Sequence, residues 1–436
     1  MTTPIIDFIE KYKNSTALRL HTPGHKGKSI LGFEQYDITE LDGADELFSP
    51  SGIIAESEKN ASGIFGMPTY YSAEGSSLCI RAMIYLLSQI RGNKPVIVAA
   101  RNSHKSFIYA AAAADADVIF TTPHENDSYL SVTTTADDVE AAIKESEKPV
   151  SAVFITTPDY LGKTTELSKI SEVCRKYNAL LLADCAHGAY LHFTKSEDPL
   201  KYADMCCSSA HKTLPALTGA AYLHVRYPLP AKAVKGALAS FASTSPSYLI
   251  LASLDKLNPY LEGHKKRLSD FIPKVDELKN KLTNKGFELY GGEPLKITVN
   301  AAKYGYKGDK IAKYLLKNDI YPEYSDGVYI TFMITPETED SGLQRLYGAL
   351  SSLPQKKPLD IRLPLIRAAK RVMSVREAFF SAKETLPTQD CAGRILSDMN
   401  ISCPPAVCPL VCGELIEEDM IPALVSLGIK ELSVVK

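Results

Sequence analysis

The chain has 436 residues, of which 45% are hydrophobic and 23% charged, enough apolar chain for one large domain with smaller ones beside it, and the composition excludes disordered and fibrous classes. Lys plus Arg number 49 and Asp plus Glu 51, and a net charge of −2 gives no electrostatic reason to expect a nucleic-acid partner. No apolar run approaches the roughly 18 to 20 residues that span a bilayer, and charges interrupt any signal core in MTTPIIDFIEKYKN, so a cytoplasmic protein with no membrane partner is expected.

Residues 1–55 are rich in Gly, Pro and acidic side chains (HTPGHKGKS, DITELDGADELFSPSG) and suit an arm laid over a partner surface better than an independent core. From 56 to 255 short apolar runs alternate with amphipathic ones. PVIVAA (95–100), DVIFTT (117–122), AVFITT (152–157), ALLLAD (179–184) and AAYLHV (220–225) read as strands, with helices over 76–90 and 166–178 between them. Wholly apolar strands separated by single helices are βαβ units, so the spacing predicts an α/β domain on a mostly parallel sheet. One long helix is expected over 247–284. Residues 256–355 then turn to LKITVN and VYITFMIT with helices over 308–317 and 338–351, a smaller α+β domain, and 356–436 form a C-terminal domain carrying CPPAVCPLVCGE. The nine cysteines are an odd, scattered set without a disulfide framework. Cys403, Cys408 and Cys412 lack a C-x-x-C pair and a clear fourth ligand, so packed thiols are expected and no metal.

Ligands of parallel sheets sit at the C-terminal ends of the strands. Four strand exits carry polar clusters: Arg101 to Ser106, Pro158 to Gly162, Asp184 to Gly188, and His211-Lys212-Thr213. Asp184 ends an apolar strand, where a buried carboxylate needs a positive partner. Lys212 follows the next strand, and burial there lowers a lysine into the nucleophilic range. Pyridoxal phosphate requires both groups, a lysine for its aldehyde and a carboxylate for its pyridine nitrogen. Gly75, Ser76 and Ser77 open the 76–90 helix as a phosphate cradle, although Ser in that place is also an ordinary N-cap. His104 reads either as a ring-stacking residue or as a hydrogen-bonded structural one, and His187 lies within reach of the same site.

These residues resemble a family. His21 to Gly27, Asp37 to Leu41, Arg101 to Ser106, Asp184 to Gly188, Ser209 to Thr218 and Ser243 to Tyr248 are similar to the Orn/Lys/Arg decarboxylases, pyridoxal-phosphate enzymes of the aspartate-aminotransferase fold. The resemblance runs from about residue 15 to about 435. It implies that Lys212 carries the cofactor with His211 beside it, that Asp184 pairs with the ring nitrogen with His187 as its histidine partner, and that His104 stacks on the ring. It places phosphate contacts on Gly75, Ser76, Ser77 and Ser209, with Ser245 or Ser247 reaching over from a second subunit. Departures from the family pattern are Glu74 in place of Asn in the phosphate loop, Cys185 in place of Glu, and the stretch Cys403 to Cys408 in place of Y-P-P-G-I-P. The chain begins directly at the arm, so the short form without a wing domain, and a homodimer, are expected.

The implied reaction is decarboxylation of a basic L-amino acid, arginine slightly ahead of lysine and ornithine, to an amine of polyamine metabolism. Glu40, Asp45 and Glu323 are candidates for the distal positive charge of the substrate, each equally readable as a surface or N-cap carboxylate. Two alternatives stand: an aminotransferase or other lyase, which would clamp the α-carboxylate with Arg345, Arg362, Arg376 or Arg394, and a catalytically degenerate cofactor-binding protein.

Overall fold

The structure, a computed structural model, describes residues 1–125, 127–361, 363–365, 367–398 and 407–436. Seven strands form the main sheet: β1 (Thr69–Ser72), β2 (Val96–Ala99), β3 (Asp117–Phe120), β4 (Ala152–Thr156), β5 (Leu180–Asp184), β6 (Met205–Ser208) and β7 (Ala221–Val225), in the order β1-β7-β6-β5-β4-β2-β3. Strands β2 to β6 are parallel. Alternation along each strand splits the apolar side chains between two cores. Val96 and Val98 face one and Ile97 and Ala99 the other, as Leu181 and Ala183 oppose Leu180 and Leu182.

Ahead of β1 lie α1 (Pro4–Lys13) and α2 (Ile53–Phe65); α3 (Gly75–Arg91), α4 (Lys105–Ala113), α5 (Ala136–Glu145) and α6 (Leu167–Lys176) are the crossovers of the parallel strands. Strand β7 differs from the expectation, since it runs antiparallel to both β6 and β1. A parallel return is usually built on a helix that crosses the sheet face, and the twelve residues between β6 and β7 hold only the four-residue α7 (Ala210–Thr213). β1 carries no apolar run and was not expected. The N-terminal stretch also divides. Ile5 and Ile9 of α1 are wholly buried in the chain's own core, and Asp255 accepts from the amides of Ile5 and Ile6 at 3.0 Å, whereas Leu18, Leu20, Ile30 and Leu31 are exposed.

After α8 (Ala231–Ala239), the long helix expected over 247–284 is two, α9 (Tyr248–Glu262) and α10 (His264–Asn284), parted by Gly263. The smaller sheet is antiparallel, with β8 (Glu288–Tyr290), β9 (Lys296–Asn300), β10 (Tyr324–Ser325) and β11 (Tyr329–Met333) in the order β10-β11-β9-β8, flanked by α10, α11 (Gly308–Leu316) and α12 (Glu339–Ser351). In the last segment β12 (Lys383–Pro387) pairs with β13 (Glu431–Val435) over a small core that includes Cys391, Leu396, Ile416 and Leu432. Arg101, at the exit of β2, locks that segment to the large sheet through a buried two-pronged pair with Glu414, at 2.6 and 2.7 Å.

Candidate active site

The crossovers from β2 and β4 leave in opposite directions along the sheet, and at such a switch point the strand ends leave a crevice. A cavity of about 550 Å³ opens there. Its wall includes His104 from the end of β2, Thr156 and Tyr160 from β4, Asp184 and His187 from β5, Ser209, His211 and Lys212 from β6, and Gly75, Ser76 and Ser77 from the start of α3. The structure therefore brings together the lysine, aspartate, histidines and phosphate-cradle residues expected from the sequence, whereas Ser245 and Ser247 do not line this cavity.

Asp184 is buried at the floor, where one carboxylate oxygen accepts from the Ala186 amide at 3.1 Å and from the Cys207 thiol at 3.5 Å. Cys185, standing where the family has Glu, is buried. Lys212 Nζ lies 3.0 Å from His187 Nε2. Burial lowers the Lys212 amine below the ordinary lysine range, Asp184 opposes that shift, and Lys296 reinforces it. Burial also pushes His187 well below the usual histidine value, with the charges of Lys296 and Lys212 adding to the effect. His211 donates from Nδ1 to the Ala220 carbonyl at 2.9 Å. His104 caps α4, its Nδ1 accepting from the Ser106 amide at 3.2 Å, and burial lowers its proton affinity. The structural and cofactor-facing readings of His104 are thus compatible, because one nitrogen caps the helix while the ring lines the cavity.

The first N–H groups of a helix have no partner within it and favour an anion. In α3 the Gly75 amide is taken by the Gly219 carbonyl at 2.7 Å, so the amides of Ser76 and Ser77 are those left for a phosphate. Gly75 has φ of 72°, a conformation that costs a side-chain-bearing residue about 1 kcal/mol or more. Ser209 donates to Ser76 at 2.9 Å, which ties the α3 start to the β6 exit. Glu74 also lines the cavity, and one of its carboxylate oxygens accepts from the Ser243 amide at 2.7 Å. Ser245 is exposed and hydrogen-bonds through its amide to Ser243 Oγ, so within one protomer it does not line the cavity.

Four contributors had no role assigned from the sequence, although Asn102 and Tyr160 lie in strand-end clusters read there. Thr156 Oγ1 and Asn102 Oδ1 are buried on this wall without a hydrogen-bond partner. Tyr160 packs edge-on against His187, centroids 5.3 Å apart, and donates to Glu323 at 3.2 Å. Lys296 arrives from the small sheet, its Nζ 3.4 Å from His187 Nδ1. The signal for Lys296 was a lysine inside an apolar strand with Glu293 three residues earlier.

Other candidates are engaged elsewhere. Asp45 accepts from the amides of Ser51, Gly52 and Ile54 at the start of α2, which is a capping role, and those amides hold its carboxyl below the usual range against the effect of burial. Glu40 is exposed and accepts from Thr39. Arg345 donates to carbonyls at the end of α11, Arg376 to carbonyls at the end of α4, and Arg394 to Glu384, so none of the three is available as an α-carboxylate clamp. Arg362 and Cys403 lie outside the described residues. Cys408 lines the cavity and Cys412 is buried.

The wall fits pyridoxal phosphate on its own chemistry: an amine of lowered proton affinity, a buried carboxylate, an anion cradle, and two orphaned polar atoms that require a ligand or water. The mostly parallel seven-stranded sheet with one antiparallel strand, backed by a smaller antiparallel domain, is the fold of the pyridoxal-phosphate enzymes related to aspartate aminotransferase. Among solved structures the chain matches the lysine decarboxylase LdcF of Francisella novicida, with TM-score 0.81 and 16% identity over 100% of this chain and 81% of that one. It matches the constitutive lysine decarboxylase of E. coli equally well, with TM-score 0.81 and 16% identity over 100% and 82% of the two chains. A family model described as the Orn/Lys/Arg decarboxylase major domain matches residues 3–300. The chain belongs to that family, and it is an amino-acid decarboxylase of that class. Among curated relatives it is 28% identical to the arginine decarboxylase of Bacillus subtilis (strain 168), over 96% of this chain and 92% of that protein. To the lysine decarboxylase LdcA of Pseudomonas aeruginosa it is 26% identical, over 56% and 38% of the two.

Proposed function

We propose that this chain decarboxylates a basic L-amino acid, L-arginine before lysine or ornithine, with pyridoxal phosphate held in the cavity at the sheet's switch point. The observation that carries this is the convergence of Lys212, Asp184 and the Gly75–Ser77 cradle on one wall. When bound, the cofactor supplies an electron-accepting ring that takes up the electron pair left as the Cα–carboxylate bond breaks. Lys212, its amine 3.0 Å from His187 Nε2, would be the nucleophile that holds the cofactor's aldehyde. Asp184 would keep the ring nitrogen protonated, and His104 would line the space for the ring. Gly75, Ser76, Ser77 and Ser209 would hold the phosphate, and Ser245 would join them from a second copy of the chain. Lys212 or His211 returns a proton to the α-carbon after carbon dioxide departs. Glu323, fixed by the Tyr160 hydroxyl, meets the distal positive charge of the substrate.

Preference for arginine rests on near-full-length relatives bearing that activity in their names. The homodimer is supported by the exposure of Leu18, Leu20, Ile30 and Leu31 near the N-terminus, large apolar side chains that a second copy would cover. Incubating the purified protein and pyridoxal phosphate with arginine, lysine and ornithine separately, and following carbon dioxide and amine by mass spectrometry, should give agmatine from arginine. Release from lysine or ornithine alone would move the substrate and keep the chemistry; keto-acid formation without carbon dioxide would overturn it.

A further inference from the structure

His187 stands between two lysine amines. Lys212 Nζ is 3.0 Å from its Nε2 and Lys296 Nζ is 3.4 Å from its Nδ1. A lysine amine facing a ring nitrogen that bears no proton can only donate to it, and a neutral imidazole has one donor nitrogen and one acceptor. Lys296 is fixed at that post. It is buried, it donates to the Asp159 carbonyl at 3.2 Å, and Glu293 Oε2 lies 3.9 Å away with no other partner. Its stem packs on Gly162, where an added Cβ would stand 3.2 Å from Lys296 Cδ.

We propose that Lys296 is a positioning residue for the reaction: by donating to Nδ1 of His187 it fixes the ring proton on Nε2, and the ring then meets Lys212 as a donor and admits it only as a free amine. A protonated Lys212 would set an N–H of the ammonium against the N–H of the ring at 3.0 Å, two donors with no acceptor between them. The inference rests on Lys212 being the cofactor lysine. It adds that a side chain from the small sheet, 109 residues along the chain from His187, sets the protonation state of that lysine. The other groups facing this pair act in both directions. Asp184, Glu323 and Cys207 favour the charged form of Lys212, and Lys296 disfavours it; His104 and His211, like the two lysines, disfavour protonation of His187.

Two measurements on the full-length protein purified without cofactor test this. In protein labelled with nitrogen-15 histidine, two-bond nitrogen–proton correlations distinguish the two tautomers, and a His187→Gln variant assigns the signal. The expected pattern is Nε2–H; Nδ1–H or a doubly protonated ring at pH 8 would overturn the proposal. Second, the pH dependence of Lys212 acetylation by acetic anhydride, read by peptide mass, should shift upward by about one unit in Lys296→Met, about tenfold less free amine at a fixed pH. Lys296→Arg, which keeps the donor and the charge, should restore the wild-type midpoint. An unchanged midpoint in Lys296→Met would overturn the proposal; if that variant does not fold, the wild-type nitrogen spectrum alone decides. Failure of the cofactor reading would show separately, as no pyridoxyl group on Lys212 after borohydride reduction, with the tautomer result unaffected.

Discussion

Asp184 and Lys212 reach the same cavity from adjacent strands, and each has a local reason for its place. The carboxylate is held by an amide and a thiol at the floor, and the amine is held by His187. If Asp184 serves the ring nitrogen, its charge and not its shape is what the reaction needs. Asp184→Asn keeps an oxygen for the Ala186 amide and should leave the protein folded, while kcat falls by about 10²- to 10³-fold, the range found when one preorganised electrostatic partner is removed. Steady-state decarboxylation measures this, and a kcat within tenfold of wild type would remove Asp184 from the role. The strand-end residues were legible because a polar cluster after a wholly apolar strand has few structural reasons to exist. Asn102 and Tyr160 lay inside those clusters but their roles were not legible, and Thr156 and Lys296 went unread, because what defines all four is a contact or an unpaired atom in the folded wall.

At the scale of elements, β2 to β5 were readable from continuous apolar runs, the mark of strands buried on both faces. The direction of β7 was not, since its sequence matches a parallel strand and the link from β6 carries only the four-residue α7 in place of a crossover helix. The missed β1 is four residues of Tyr, Ser and Thr, and the expected long helix gave no sign of its division beyond Gly263. The contact between Arg101 and Glu414 joins residues 313 apart, a pairing that neither local motif announces. Arg101 is buried and Glu414 is buried with it. Truncating one side leaves a charge without a partner, so Arg101→Met should cost about 3–5 kcal/mol of stability. Chemical denaturation with the cofactor absent checks this, and a loss under about 1 kcal/mol would show that the last segment is held by its apolar contacts alone.

For the whole molecule, pH acts through histidines buried without charge. Both ring nitrogens of His264 lack hydrogen-bond partners, the ring packs on Phe193 and Tyr260, and burial lowers its pKa to about 4. Between that value and the unfolded value of about 6.5 the unfolded chain binds more protons, so stability rises with pH and is lost as pH falls through this window, by about 1.4 kcal/mol per unit. Asp255, raised to about 6 by burial, acts in the opposite direction, so the contribution of His264 must be read as a difference between two proteins. His264→Phe should lose about 2 kcal/mol less than wild type between pH 7 and pH 5 in urea unfolding; parallel losses would show that His264 does not contribute.

The proposed activity depends on Lys212 holding the cofactor in a cavity built from five strand and helix ends. The most direct measurement is borohydride reduction of the protein with pyridoxal phosphate, followed by peptide mass spectrometry. A stoichiometric pyridoxyl group on the peptide carrying Lys212, absent in Lys212→Ala, is the predicted result. A pyridoxyl group on another lysine, Lys296 included, or none at all in folded protein, would contradict it.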